Sequence, residues 1–186
     1  MAWDLSHGWP VQFPITEITD ALLASYSRHG GINHLDGINL PSKASVADIT
    51  RDLLRLVFPG FFDDHIIHSS ELKAETALLI DSVAGRLEDE LYKALRCADR
   101  AAAAKSDPRP TAHRLVSEFL RELPAIREIL TTDVEAAFSG DPAAANREEI
   151  IVAYPFVEAI AVHRLAHALY LQIGRASCRE RVFQLV

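Results

Sequence analysis

Between Ser70 and Ala104 the chain carries no proline and a single glycine, Gly85. Across that stretch Leu72, Leu78, Leu79, Val83, Leu87, Leu91, Leu95 and Cys97 recur at helical rather than alternating spacing. A run this long with a 3.6-residue period predicts one long amphipathic helix, and its apolar stripe needs other elements to cover it. The alanine tract 101–104 reads as the C-terminal end of this helix, because alanine has the highest helix propensity.

The remaining segments supply partners of the same kind. Thr16 to Gly31 predicts a short helix with Thr16 as N-cap and Gly30-Gly31 as its stop. Ser45 is the candidate N-cap of a second helix, with Val46, Ile49, Leu53, Leu54 and Val57 on one face and Pro59-Gly60 ending it. Thr111 to Gly140 predicts two helices separated near Pro124. Asn146 is a candidate cap for a helix through Ile150–Val152, and a last helix starts at Pro155 and ends near Leu171. No stretch has the period of a strand, and no internal repeat is present. The pattern therefore predicts an all-α, bundle-like domain of six to eight helices.

A length of 186 residues fits one domain with a small appendage, and 49% hydrophobic content suits an ordinary soluble core. The formal charge of −7 argues against a nucleic-acid partner. No apolar run reaches membrane-spanning length, and the first residues lack the basic and apolar regions of a secretory signal. Cys97 and Cys178 lie far apart without metal-ligand spacing, which fits free thiols and a cytoplasmic location.

Few side chains suggest chemistry. His163 and His167 share a helix face, but "HRLAH" lacks the glutamate of a zinc peptidase and no third ligand is evident. The reading is one packed and one exposed imidazole, with no metal; a helical metal-binding protein is the weaker alternative. Cys97 on the apolar stripe reads as a buried structural thiol. Asp63, Asp64, His65 and His68 follow Pro59-Gly60 and read as a solvated loop. Asp141, between Gly140 and Pro142, sits on a rigid turn. Two readings stand there: a plain Asx-turn, or a fixed carboxylate that binds the amine or hydroxyl of a small substrate.

Four stretches together resemble one family. They are "LLRLVFPGFF", "LEDELYKALRCA", "FLRELPAIREILTTDVEAAFSGDPAA" and "EEIIVAYPFVEAIAVHRLAHALY". These are similar to the N-terminal helical domain of serine O-acetyltransferases, in the branch with an extended N-terminus, over roughly Ile49 to Tyr170. Phe156 departs from the pattern, since the family usually has glycine there. The resemblance implies transfer of an acetyl group from acetyl-CoA, as co-substrate, to the hydroxyl of L-serine in cysteine biosynthesis. It further implies a following left-handed β-helix that carries the general-base histidine and the CoA site. Homo-oligomers (a dimer of trimers) and a C-terminal tail that docks O-acetylserine sulfhydrylase belong to the same expectation. Residue by residue, Asp141 falls on the family's serine-contacting aspartate. Arg164 and His167 fall on its R-x-A-H motif, read here as structural at the junction to the β-helix.

No hexapeptide repeat follows Tyr170, so no catalytic residue is assigned to this chain and no bound cofactor is expected. Residues 173–182, "IGRASCRERV", translate codon for codon from ATC GGA AGA GCG TCG TGT AGG GAA AGA GTG, a common sequencing adapter. The expected organisation is an N-terminal extension over 1–44, the helical domain over 45–172, and a non-native tail over 173–186. The expected function is a serine O-acetyltransferase truncated before its catalytic half and inactive alone. A stand-alone helical oligomerisation or interaction module is the alternative.

Overall fold

The computed structural model describes residues 13–37, 39–98 and 106–183, with side chains through 174 apart from 98. The alanine tract 101–104 lies outside the described residues. Every regular element described is helical: α1 (Ile15–Arg28), a short 3-10 turn (Gly30–Ile32), α2 (Lys43–Val57), α3 (Leu72–Ala98), α4 (Arg109–Gly140), α5 (Arg147–Ala153) and α6 (Pro155–Phe183). The chain divides into two compact units, Met1–Gly37 and Ile38–Val186. The first contains α1 and the 3-10 turn, and none of their residues is buried. Helix α1 starts one residue before the expected cap: Pro14 occupies the N-cap with no side-chain bond, and His29 ends the helix.

The second unit is a helical bundle centred on α4, which packs against α3, α5 and α6, while α2 packs against α3, α4 and α6. Its core is filled by Val57, Val83, Leu115, Phe119, Leu130, Ile150 and Val157, all essentially inaccessible. Helix α2 begins at Lys43 rather than beyond Ser45. Ser42 is the N-cap, its hydroxyl accepting from the Ser45 N–H at 3.3 Å. The reason is long-range: the buried Glu90 carboxylate on α3 accepts the Ser42 N–H at 2.7 Å and so fixes the first turn from outside. On the expected stripe of α2, Ile49, Leu53, Leu54 and Val57 are buried and Val46 is exposed.

Pro59-Gly60 stops α2 as expected, with Gly60 at φ +84, a conformation that only glycine takes without strain. The loop that follows is more ordered than a solvated run. The Asp63 side chain is 1% exposed and accepts from Arg55 Nε at 2.5 Å and from the Gly60 N–H at 3.0 Å. Arg55 also donates to Asp52, which in turn accepts from Arg86 on α3. Arg127 donates to the Val57 carbonyl and thereby satisfies the C-terminal end of α2.

Two long helices depart from expectation. Helix α4 runs unbroken through Pro124. Proline removes one backbone bond and costs about 3 kcal/mol inside a helix. That cost is outweighed because Phe119, Leu123, Ile126, Leu130 and Val134 hold a single buried stripe across it. Helix α6 continues past Leu171 to Phe183. Burial along α3 reaches Val83, Leu87 and Leu91, but Leu78 is exposed, and so is Cys97 in the last turn, contrary to the buried thiol expected there. No single described helix is long and apolar enough to cross a membrane.

Candidate functional site

Three short sequence devices meet where α4, α5 and α6 join. Helix α4 ends because Asp141 takes an extended backbone (φ −115, ψ 101) and Pro142 cannot continue a helix. Its N–H still donates to the Ala137 carbonyl at 3.1 Å. The Asn146 side chain caps α5 by accepting from the Glu149 N–H at 2.8 Å, as its position predicts, and Glu149 returns a bond to the Ala145 N–H at 2.8 Å. Tyr154 ends α5 in extended conformation ahead of Pro155.

This geometry turns two side chains toward each other. Asp141 Oδ1 accepts from the Ala143 N–H at 2.9 Å, an Asx-turn, while Oδ2 accepts from the Tyr154 hydroxyl at 2.5 Å. The Tyr154 bond, then the Ala143 N–H, holds the Asp141 carboxyl below the usual carboxylate range. The same bond pushes the Tyr154 phenol up. Both readings of Asp141 are therefore physically compatible: the Asx-turn uses one oxygen and leaves an ionised group pinned in place. The Tyr154 ring stacks on Phe156, with centroids 6.3 Å apart.

Asp141 lines an open concavity of about 560 Å³ together with Asp133, Ala137, Tyr154, Phe156 and Ile160. The two acidic groups there are in different electrical states. Asp133 is bound by Arg164, whose Nε and Nη2 donate to its two oxygens at 2.6 and 2.7 Å. Asp141 has no cationic partner among the described residues, and its bonds come from a phenol and an amide. The concavity thus offers one uncompensated negative charge beside aromatic and small apolar walls.

The other candidates lie elsewhere. Arg164 is a strut between α4 and α6 that touches the site only through Asp133. His163 and His167 stack at 6.1 Å between centroids and are both exposed, where one packed ring was expected. No group of three or more His, Cys, Asp or Glu side chains able to hold a metal occurs among the described residues. Reading the sequence missed Tyr154 and Asp133. Each lies inside a quoted motif, but its role depends on a partner 13 or 31 residues away.

Asp141 thus stands at the joint of α4, α5 and α6 as a carboxylate fixed by Tyr154 and the Ala143 N–H, in a domain whose described regular elements are all helical. No protein-family model matches the chain. The curated protein named "Serine acetyltransferase, plasmid" from Synechococcus elongatus is 34% identical over 147 residues, which is 73% of this chain and 43% of that protein. The crystal structure of native serine acetyltransferase 1 from Entamoeba histolytica matches with TM-score 0.51 and 26% identity, over 89% of this chain and 56% of that one. Isoform 3 from the same organism, solved in complex with cysteine, shares the fold at TM-score 0.51 and 19% identity, over 84% of this chain and 50% of that one. The chain's helical domain belongs to the serine acetyltransferase family. The chain spans about half the length of the relatives it matches.

Proposed function

We propose that this chain is the N-terminal helical part of a serine O-acetyltransferase, and that Asp141 is its contribution to the serine site. The observation that carries the reading is the uncompensated Asp141 carboxylate, pinned by Tyr154 and Ala143 at the edge of the open concavity. An ionised carboxylate with its geometry fixed in advance binds an α-ammonium or hydroxyl without reordering. In the reaction of the whole enzyme, the serine hydroxyl loses its proton to a general base as its oxygen attacks the thioester carbonyl of acetyl-CoA. The C–O bond forms, the C–S bond breaks, and CoA leaves as the thiol on taking up a proton. Asp141 orients serine for that attack; no described residue of this chain is positioned as the base.

The general base and the CoA site belong to a β-helix that follows the junction helix in the intact protein, and residues 173–186 are not native sequence. The 186-residue chain alone then binds no acetyl-CoA and turns over no serine. Homo-oligomerisation, docking of O-acetylserine sulfhydrylase and a cytoplasmic location complete the proposal. An independent genomic sequence of the locus tests it. Hexapeptide repeats downstream of the Tyr170 codon are expected. A native reading frame that continues as "LQIGRASCRERV", or stops there, would instead describe a stand-alone helical module.

A further inference from the structure

A smaller cavity, of about 300 Å³, lies where the end of α2 and the loop after it meet the start of α3 and the middle of α4. It shares no lining residue with the Asp141 concavity. Leu56 and Leu79 are among its apolar walls, and four charged side chains line it: Arg55, Asp63, Glu75 and Arg127. Arg55 and Asp63 are spent on each other at 2.5 Å, and Arg55 also holds Asp52 at 2.9 Å. Glu75 and Arg127 are left. Arg127 donates to the Val57 carbonyl but has no carboxylate partner among the described residues, and Glu75 has no cationic one. The Thr76 hydroxyl, next to Glu75 on α3 and also lining the cavity, has no partner among those residues either. The two charges come from different helices, Glu75 from the first turn of α3 and Arg127 from α4. They border one small space without bridging it.

We propose that this cavity binds a free α-amino acid with an apolar side chain: its carboxylate on Arg127, its ammonium on Glu75 and Thr76, its side chain against Leu56 and Leu79. The charges select the class. A simple anion drawn to Arg127 meets Glu75, and a simple cation drawn to Glu75 meets Arg127. A neutral apolar compound would desolvate both charges and pair neither. A ligand with one charge of each sign and an apolar remainder satisfies every wall. Arg127 uses Nη1 on the Val57 carbonyl, which anchors the guanidinium and leaves Nε and Nη2 to grip a carboxylate with two parallel bonds. The volume is at the small end of the about 300–1,000 Å³ range of ligand cavities, which suits one amino acid rather than a peptide. The site is independent of the Asp141 reading, because it uses none of the same residues.

An amide NMR titration of the 186-residue chain with L-leucine reads this directly. Saturable shifts at Glu75, Thr76, Leu79 and Arg127 are expected, with a Kd of about 1 mM or tighter. Three analogues separate the contacts without altering the protein. N-acetyl-L-leucine lacks the ammonium, L-leucinamide lacks the carboxylate, and glycine lacks the side chain; each should bind at least about tenfold more weakly. Glu75→Gln should weaken L-leucine by a similar factor with an unchanged helical circular dichroism spectrum, and Asp141→Asn should leave its binding as it was. No saturable shift with L-leucine, an analogue that binds as tightly as L-leucine, or shifts confined to the surroundings of Asp141 would each overturn the proposal.

Discussion

Arg164→Ala should loosen the joint that positions the Asp141 site without touching Asp141 itself. The guanidinium spans α6 to α4 with two near-parallel bonds to Asp133, at 2.6 and 2.7 Å. The side chains of Arg164 and Asp133 are 30% and 20% exposed, so the pair is neither fully solvated nor dry. Exposed ion pairs contribute about 0.2–1 kcal/mol, and hydrogen bonds to charged groups about 1.5–3. Bidentate geometry at this partial burial puts the loss near 2 kcal/mol, part of it the cost of leaving Asp133 without its cation. That is roughly a thirtyfold change in the folding equilibrium, or a fall in Tm of about 4–8 °C for a domain of this size. The assay is a double-mutant cycle with Asp133→Ala, read by urea unfolding. The pair should show a coupling of about 1–2 kcal/mol, smaller in high salt. A coupling under about 0.5 kcal/mol would mean that the contact is ornamental and that packing alone sets the joint.

Three further outcomes follow from the same structure. Tyr154→Phe removes the hydroxyl that holds Asp141 ionised, so the Asp141 carboxyl pKa should rise toward the ordinary aspartate value; an unchanged carbon-detected NMR titration would show that the bond is not formed in solution. Burial by itself would raise the pKa of Glu90, but Lys93, the Ser42 N–H and Ser45 hold it below the ordinary glutamate value. Its contribution to stability is therefore present above about pH 4.3 and lost as pH falls through the lower folded value. Wild type and Glu90→Gln should differ most near neutrality and converge on acidification, and a gap that widens toward low pH would contradict this. Phe119→Ala, at a fully buried position, should cost about 3–5 kcal/mol, whereas Leu78→Ala on the exposed side of α3 should stay within about 0.5 in denaturant unfolding.

Helical periodicity carried the fold class, because the apolar stripes of α2, α3 and α4 are long enough to outvote single residues. Errors arose where a local rule met a distant partner. Ser45 is as good a local cap as Ser42; the choice was made by Glu90, 48 residues away. Pro124 is a strong local breaker, yet the stripe from Phe119 to Val134 keeps one register through it, and that continuity was readable. Cys97 follows the stripe in number but lies beyond its covered part, which ends at Leu91 and half-buried Leu95. At the site, Asp141 stood out because glycine and proline bracket it. Tyr154 gave no local sign, since its hydroxyl matters only once α5 folds back onto the end of α4.

Acetyl transfer by the full-length product of the native locus, compared with its Asp141→Asn variant, tests the central claim most directly. The account predicts serine-dependent release of CoA from acetyl-CoA. It also predicts a loss of at least about tenfold in kcat/KM for serine in the variant, as expected when a charge-assisted contact is removed, with the KM for acetyl-CoA unchanged. An intact protein that releases no CoA in the presence of serine, or one whose serine kinetics ignore Asp141, would contradict it.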